Sequence, residues 1–558
     1  MFKKLLALAL VAVMALSAVS ALAESSAPEW KEFDALVAQI KSTTDLKERE
    51  ALMHKAEDML MATGALIPIY HYNDIYLAKE NLAGYYSSPF GTKFFHETTK
   101  EGDTTLRLQL ASEPDKLDPA LNSTVDGATL AANTFGGLYT YDKDGQLAPN
   151  FATGYEVSED GLTFVFPIRE GLVWSNGDPL NANDFVYSWK RAVSDETAAD
   201  YSYMFDCIEG YPADLAVEAN EDGSKLTVKL AAPTAYFLDL VAFPTYFAVH
   251  QATVENAPGF KDDAGKVISP GAWALEAGFV SSGPFMLTEW THNESMVYVK
   301  NPNYWDAENV KLEKLELMLS ADEVVIYSAY QAGNLDFIDT VPLDQIETLM
   351  DTPEFKKVDE LGTYFAIFNV KSKLFDGMTV EQAAAFRKAI SRLIDRDYIV
   401  ETVGKTGQVI ATTFIPEGMM DGQGGVFKQN DEDYTYPVAE DVGYYPIEPS
   451  VEDAVALLKE AGLEVGDDNM LKTPITMTYI HNTNAGHALI AQLIQQDLAQ
   501  VGIDVKIETQ EWNVFLNERK EGNFDFARHG WIADFNDPIN MLEMWTTDSG
   551  NNDAQFGR

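Results

Sequence analysis

The chain has 558 residues, which is enough to bury a large core and to form more than one lobe. A hydrophobic fraction of 46% and an aromatic fraction of 11% exclude a disordered protein. The net charge of -47 excludes nucleic acid and anionic membrane surfaces as partners, because both require basic patches.

Residues 1–23 have the pattern of a secretory signal peptide. Two lysines precede an apolar run from Leu5 to about Val19, and small residues at 21–23 form a cleavage site before Glu24. An uncleaved membrane anchor is the alternative, because the run approaches the span of a bilayer. The leader contains no cysteine that could accept a lipid. We therefore expect a soluble exported protein, in the periplasm or outside the cell.

Residues 24–98 predict two helices that lead into a strand. The first helix has apolar residues at i, i+3, i+4 and i+7, which are Phe33, Leu36, Val37 and Ile40. The strand is predicted at Leu66–Tyr72. The segment His96–Asp103 is polar and contains Gly102, so we interpret it as a linker.

The order of these elements predicts a circular permutation. The far end of the sequence is a polar loop around 549–553, which normally joins two packed elements. When residues 552–556 are placed before Pro28, a continuous segment results. The linker at 96–103 would then be the new junction.

The sequence pattern predicts strands in the middle of the chain and alternating helices and strands in its last third. Thr105–Leu110 alternates like a half-buried strand, and residues 155–250 continue as short strands with one aromatic helix. Further on, alternation at Ile475–Tyr479 and Ile503–Ile507 flanks a helical stripe at Leu489–Leu498. Strand, helix and strand at this spacing form a βαβ unit with parallel strands. The chain therefore contains at least two α/β lobes and a strand-rich insertion.

The sequence contains no persuasive catalytic or metal site. The Gly-x-Ser-x-Gly motif of a nucleophile elbow is absent. His96-Glu97-Thr98-Thr99-Lys100 has lysine where a zinc protease needs its second histidine. Cys207 is the only cysteine, which excludes a thiolate cluster and an intramolecular disulfide. We expect no enzymatic activity and no cofactor.

The most unusual stretch, Phe524–Pro538, places Asp534 among aromatic residues. A carboxylate against aromatic faces suits an ammonium group, which gains charge-assisted hydrogen bonds and cation–π contacts. Alternatively, Asp534 or Asp537 caps a helix that begins near Pro538. The local pattern leaves both interpretations of Asp534 open and favours the cap for Asp537.

This stretch resembles the amine-anchoring motif of extracellular oligopeptide-binding proteins, the receptors of ABC peptide importers in solute-binding protein family 5. Other blocks resemble the same family in order along the chain: Ser112–Pro119, Trp174–Pro179, Asp184–Trp189, Asn301–Asp306, Phe386–Ile390, Asp395–Asp397 and Gln510–Trp512. The resemblance covers essentially the whole mature chain. The departure is in the order, because Pro28 to about Glu97 resembles the family's C-terminal segment.

The resemblance implies an α/β fold of the two-lobed, class II periplasmic-binding-protein type with an additional strand-rich domain. Residues 24–98 would complete the second lobe and return to the first. The first lobe would comprise residues 99–136 and 260–365, and the second lobe residues 366–558. The strand-rich domain would be residues 137–259.

The resemblance also implies a set of peptide-binding residues. Asp534 corresponds to the family residue that binds the peptide's α-ammonium, and Arg519 and Arg528 to arginines that meet peptide carboxylates. Trp512 and Tyr201 correspond to pocket residues. Two stretches would act as strand partners of the peptide backbone, namely Ser123, Thr124 and Val125, and Gly530, Trp531 and Ile532.

Some of these residues have a structural alternative in their own sequence context. Arg519 has charged neighbours typical of a solvated helix face. Trp512 and Tyr201 are aromatics of the kind that fill cores. The resemblance also implies that Tyr70, His71 and Tyr72 form the end of the relocated segment that lies nearest the pocket.

The function implied is that of an exported, monomeric receptor that delivers short peptides to the permease subunits of an ABC transporter by hinge closure. A related receptor for dipeptides, murein peptides or a metal chelate is one alternative. An exported hydrolase is another, disfavoured by the missing motifs. A rearranged gene product that does not fold is the third.

Overall fold

The computed structural model of the protein describes residues 26–110 and 112–558. The predicted signal peptide lies outside these residues. Within the described part of the chain, no helix is long and apolar enough to cross a membrane.

The helices are short and mostly capped by polar side chains. They are α1 (Lys31–Ser42), α2 (Leu46–Ala62), α3 (Val125–Thr134), α4 (Ala182–Ala192), α5 (Phe237–Leu240), α6 (Gln251–Glu255), α7 (Glu323–Gln331), α8 (Ile346–Leu349), α9 (Val380–Leu393), α10 (Arg396–Ile399), α11 (Val451–Glu460), α12 (Ala485–Ala499), α13 (Trp512–Glu521) and α14 (Ile539–Glu543).

The strands range from two to fourteen residues. They are β1 (Leu66–Ala78), β2 (Leu82–Ala83), β3 (Tyr86–Ser87), β4 (Lys93–Phe94), β5 (Thr99–Lys100), β6 (Thr105–Gln109), β7 (Tyr139–Tyr141), β8 (Leu147–Pro149), β9 (Glu156–Val157), β10 (Thr163–Pro167), β11 (Val217–Ala219), β12 (Lys225–Lys229), β13 (Phe285–Thr291), β14 (Ser295–Lys300), β15 (Lys314–Met318), β16 (Phe337–Ile338), β17 (Phe355–Phe368), β18 (Val409–Ile410), β19 (Ile475–Asn482), β20 (Ile503–Gln510) and β21 (Phe526–Ile532).

An eleven-stranded mixed sheet forms the centre of the molecule. Its order is β13-β14-β15-β6-β16-β1-β17-β21-β19-β20, with β18 paired to β1. As the alternation predicted, β19, α12 and β20 form a βαβ unit in which the strands pair in parallel from Ile475↔Ile503 to Asn482↔Gln510. A separate four-stranded sheet, β11-β12-β10-β9, lies within residues 137–259.

Strands β1 and β17 connect the two halves of the large sheet. They pair antiparallel along most of their length, with register shifts between Pro68 and Tyr70 and between His71 and Asn73. On one side β1 continues to β16, and on the other β17 continues to β21. These two strands therefore hold the halves together and position β21.

Helix α1 packs against the last described residues of the chain. All four residues of its predicted stripe are buried: Phe33, Leu36, Val37 and Ile40. The Trp30 ring stacks on Phe556 with ring centroids 4.0 Å apart, and Trp30 Nε1 donates to the Trp545 carbonyl at 2.8 Å. In the predicted linker, β5 pairs antiparallel with β2.

Candidate ligand-binding site

A cavity of about 280 Å³ lies between β21, α13 and the start of α3. All eleven residues predicted for the site line this cavity: Asp534, Arg528, Arg519, Trp531, Gly530, Ile532, Trp512, Tyr201, Ser123, Thr124 and Val125. Residues separated by more than 400 positions in sequence therefore meet around one space. Its volume is near the lower end of the range for small-ligand sites, about 300–1,000 Å³.

Asp534 is a buried carboxylate without a cationic partner in the described part of the chain. Its Oδ1 accepts from the Tyr201 hydroxyl at 3.1 Å, and its Oδ2 accepts from Asn540 Nδ2 at 2.9 Å. Burial raises the pKa of Asp534 to about 7, although these two hydrogen bonds act in the opposite direction. A positive group beside Asp534 would offset the cost of burying its ionised carboxylate.

The other aspartate, Asp537, contacts the start of α14, whose N-cap residue is Pro538. Asp537 Oδ1 accepts from the Ile539 backbone N–H at 3.0 Å, at the first residue of α14. The same carboxylate pairs with both terminal nitrogens of Arg49 at 2.7 and 2.9 Å. The Asp534 side chain points instead into the cavity and makes no cap contact with α14.

Arg528 is a cation without a carboxylate partner among the described residues. Its Nη2 donates to the Tyr72 hydroxyl at 3.4 Å, and its guanidinium lies 5.3 Å from the centroid of the Tyr364 ring. Its Nε is buried and has no hydrogen-bond partner in the described structure. A buried donor left unsatisfied is costly, so this group is suited to an incoming carboxylate.

Arg519 differs from Arg528 because it already has a counter-ion. Its Nε donates to Asp553 Oδ2 at 2.7 Å, and His529 Nε2 lies 3.1 Å from the same oxygen. Burial alone would raise the pKa of Asp553, but Arg519 and His529 hold that pKa well below its usual range. Arg519 lines the cavity, yet Asp553 already occupies part of its hydrogen-bonding capacity.

Strand β21 offers one backbone edge to the cavity. It pairs with β17 along its whole length, whereas β19 pairs with only Phe526 and Ala527. The Ala533 N–H donates to the Leu361 carbonyl at 2.7 Å. By antiparallel alternation, the backbone groups of Ile532, Gly530 and Arg528 therefore point away from β17.

Gly530 is needed where β21 passes Tyr72. A Cβ atom at this position would collide with the Tyr72 hydroxyl. The same residue lines the cavity, so a ligand backbone can approach β21 closely here. Tyr72 belongs to residues 24–98, so this segment also contributes to the lining of the cavity.

The stretch Ser123–Val125 is not a strand but leads into α3, whereas its pairing with a peptide backbone stays a prediction. Thr124 is the N-cap of α3, and its Oγ1 accepts from the Gly127 N–H at 3.2 Å. Ser123 Oγ donates to Asp200 at 3.0 Å and accepts from Lys520 Nζ at 2.9 Å. A short polar side chain three residues before a free N–H favours the cap over an extended strand.

The aromatic residues predicted for the pocket, Tyr201, Trp531 and Trp512, all line the cavity. Tyr201 is buried, and its ring centroid lies 6.1 Å from that of Trp531. Trp512 begins α13 and is half-buried. Sequence reasoning missed Asn540, whose Oδ1 accepts from Trp531 Nε1 at 3.1 Å and from the Asp534 N–H at 3.0 Å.

A further group of aromatic residues in the cavity was also missed. They are Phe90, Phe94, Phe135, Tyr141, Phe243 and Phe247. No motif in the sequence distinguishes them from core aromatics. A second cavity of about 410 Å³ shares Asp126, Trp512 and Arg528 with the first and continues beyond Arg528.

Residues 146–553 match the family model described as bacterial extracellular solute-binding proteins, family 5 Middle. The chain is 34% identical over 475 residues to the oligopeptide-binding protein OppA of Bacillus subtilis, covering 81% of this chain and 80% of that protein. It is 32% identical to the dipeptide-binding protein DppE of the same organism, covering 83% and 80%.

Solved structures show the same fold. The Haemophilus influenzae OppA complex with the peptide RPPGFSPFR superimposes with a TM-score of 0.70 at 27% identity, covering 82% of this chain and 85% of that one. Peptide-bound Listeria monocytogenes OppA gives a TM-score of 0.68 at 27% identity, covering 82% and 86%. These likenesses confirm the expected two-lobed α/β fold class.

Proposed function

The chain belongs to family 5 of the bacterial extracellular solute-binding proteins, and we propose that it is an exported receptor for short peptides. It binds peptides with free termini and delivers them to an ABC transporter in the membrane. It acts as a monomer, catalyses no bond chemistry and needs no cofactor. Its relatives are named as peptide-binding proteins, which supports this proposal.

One observation carries the peptide assignment. The cavity contains a buried anion, Asp534, and a cation, Arg528, neither of which has a counter-ion in the described chain. An unpaired buried charge costs several kcal/mol. A ligand with an ammonium group at one end and a carboxylate at the other satisfies both. A peptide with free termini has this charge pattern.

The separation of the two charges suggests the length of the ligand. Asp534 follows Arg528 by six positions, which corresponds to roughly 20 Å or less along an extended chain. An extended peptide spans about 3.3–3.6 Å per residue, so the limit is about six residues. The reach of the two side chains shortens this to about three to five. The free edge of β21 can pair with the backbone of such a peptide.

Closure would bring the two lobes together around the ligand. Lys520, Ser123 and Asp200 form a polar group that bridges α13 and the start of α3. Lys41 bridges Asp206 and Glu543 at 2.6 Å each. We assign β1 and β17 as the hinge, because they connect the two halves of the sheet. A ligand that contacts both sides then stabilises the closed form.

The domain division supports this mechanism and rests on the same proposal. Residues 99–136 and 260–365 form the first lobe, 137–259 the strand-rich domain, and 366–558 the second lobe. Residues 24–98 complete the second lobe and return to the first through β1. The four-stranded sheet inside residues 137–259 is consistent with a separate domain there.

We further propose that the chain is a circular permutant of its family and that residues 1–23 are removed on export. The stacking of Trp30 on Phe556 places the two segments that the permutation would have separated in direct contact. Asp34 also accepts from the Thr547 backbone N–H at 2.9 Å. The relatives align over about four-fifths of this chain, which agrees with one relocated segment.

Native mass spectrometry of the purified protein tests the proposal first. We expect a folded monomer that carries a mixture of short peptides. After removal of these peptides, calorimetry should show that Ala-Ala-Ala binds at least about 100-fold more tightly than its N-acetylated or C-amidated forms. A length series from two to nine alanines separates a dipeptide receptor from an oligopeptide receptor. No binding of any peptide would contradict the assignment.

A further inference from the structure

Five of the aromatic residues that line the cavity are treated together, and we call them the aromatic wall. They are Phe90, Phe135, Tyr141, Phe243 and Phe247. None of them carries a charge. The ionisable lining residues other than tyrosine and histidine belong to α3, α13, β21 and the segments that follow β21.

The aromatic wall lies beside the proposed ammonium site. The Phe243 ring centroid is 5.1 Å from that of Tyr201, which donates its hydroxyl hydrogen to Asp534. The Phe90 centroid is 5.2 Å from that of Tyr141. Tyr141 and Asp534 both line the cavity. The pKa of Tyr141 is raised mainly by burial, then by Asp239, and least by Asp534.

Contacts with neighbouring residues fix the positions of three rings of the aromatic wall. Tyr141 donates its hydroxyl hydrogen to Asp239 Oδ1 at 2.7 Å. Phe135 is buried and stacks on Phe279 with centroids 5.8 Å apart. Phe247 is buried against Gly137, where a Cβ atom would lie 2.8 Å from its ring. These contacts leave little room for the rings to move away from a ligand.

Phe90 and Phe243 differ from the other members because they are only half-buried. Phe90 lies on the loop between β3 and β4, whose Pro89 carbonyl accepts from the Leu361 N–H at 3.4 Å. A ligand in the cavity would cover the exposed faces of both rings. This burial provides a hydrophobic contribution to binding that depends on the ligand's side chain.

From this arrangement we propose that the aromatic wall selects peptides whose first residue has a large apolar side chain. The inference rests on the proposed function, because it takes the peptide ammonium to be at Asp534. The first side chain leaves the carbon that bears this ammonium, so it must lie close to Asp534. An acidic side chain on the first residue would lose its hydration next to the Asp534 carboxylate. Both the loss of hydration and the repulsion between the two negative charges oppose binding of such a peptide.

The size of the preference follows from the area that the side chain buries. Enclosing a leucine or phenylalanine side chain gives about ten- to hundredfold tighter binding than glycine at the same position. An aspartate at the first position should bind more weakly than glycine. The preference should be confined to the first residue, so Ala-Leu-Ala serves as the positional control.

Calorimetry on the peptide-free protein tests this with Gly-Ala-Ala, Leu-Ala-Ala, Phe-Ala-Ala, Asp-Ala-Ala and Ala-Leu-Ala. We expect Leu-Ala-Ala and Phe-Ala-Ala to bind about ten- to hundredfold more tightly than Gly-Ala-Ala. Equal affinities for all five peptides would overturn the inference and leave the proposed function intact. No binding by any of them would overturn both.

Variants then locate the effect. Phe90→Ala should reduce the ratio of Leu-Ala-Ala to Gly-Ala-Ala affinity about fivefold or more. Phe243→Leu provides a second, more conservative change if Phe90→Ala does not fold. Tyr398→Ala is the matched control, because that ring is exposed and lies outside the cavity. An unchanged ratio in both folded wall variants would overturn the role of the wall.

Discussion

Replacing Asp534 by asparagine should make the peptide-free protein more stable while removing its main anchor. The pKa of Asp534 is raised by burial from 3.8 to about 7. A carboxyl group with a raised folded-state pKa is neutral in both states at low pH, and folding stability falls as the pH rises from about 4 to about 7. At 1.36 kcal/mol per unit, the wild type loses up to about 4 kcal/mol over this range.

Asparagine at this position cannot ionise, so the variant avoids that loss. We expect Asp534→Asn to be more stable than the wild type by up to about 4 kcal/mol near pH 8, and about equally stable near pH 4. The amide can still meet Tyr201 and Asn540, which hold the carboxylate now. Denaturant unfolding of peptide-free protein at the two pH values measures the difference.

Peptide binding should show the opposite dependence. An ammonium group requires ionised Asp534, so binding at about pH 6 releases close to one proton and affinity rises about tenfold per pH unit below pH 7. Asp534→Asn should remove this dependence and weaken free-amine peptides by about 100-fold or more, with little effect on N-acetylated peptides. Calorimetry in two buffers of different ionisation enthalpy measures the released proton.

A matched control variant and two possible outcomes test the predicted effects of Asp534 on stability and on peptide binding. Asp548→Asn changes an exposed carboxylate outside the cavity and should alter neither stability nor binding. Destabilisation of Asp534→Asn near pH 8 would refute the reasoning on burial. A wild-type affinity that stays constant between about pH 5 and pH 7 would refute the anchoring role.

Three other changes test separate parts of the molecule. Gly530→Ala should lower peptide affinity about tenfold or more, because the added methyl group collides with the Tyr72 hydroxyl. Adding Tyr72→Phe to this variant should restore part of the affinity, as measured by calorimetry. An unchanged affinity in Gly530→Ala alone would contradict the close packing. Arg528→Gln should weaken free-carboxylate peptides about 100-fold and C-amidated ones little, whereas equal losses would place the carboxylate elsewhere. Moving residues 28–98 to the C-terminal end of the chain should give a soluble protein that is folded by circular dichroism and has unchanged peptide affinity by calorimetry. A product that fails to fold would count against the permutation.

Regular elements with a clear period could be predicted from the sequence. The stripe of α1 and the βαβ unit of β19, α12 and β20 follow from apolar spacing alone, and both are present in the structure. The resemblance assigned Ser123–Val125 as strand-like partners of the peptide backbone and gave their place in the site without their conformation. Thr124 caps α3 through a hydrogen bond three residues away, and this local contact decides the backbone.

The composition of the site was only partly predictable. The resemblance named Asp534 and Arg528, and the structure puts both in one cavity. It could not indicate that Arg519 is already paired, because Asp553 lies 34 positions away in a loop without periodicity. Phe90 was missed for a similar reason, since its place in the cavity depends on the path of the loop between β3 and β4.

The central position of β1 has a consequence for biosynthesis. Among the described residues, β1 is the first strand in chain order, yet β16 and β17 follow it roughly 260 to 300 residues later. At about 5–20 residues per second, this apolar strand waits roughly 15–60 s without its partners. Unpaired edges of this kind favour association between nascent chains, and Pro68 limits it by removing one backbone donor. We therefore expect production of this chain to depend on a holding chaperone.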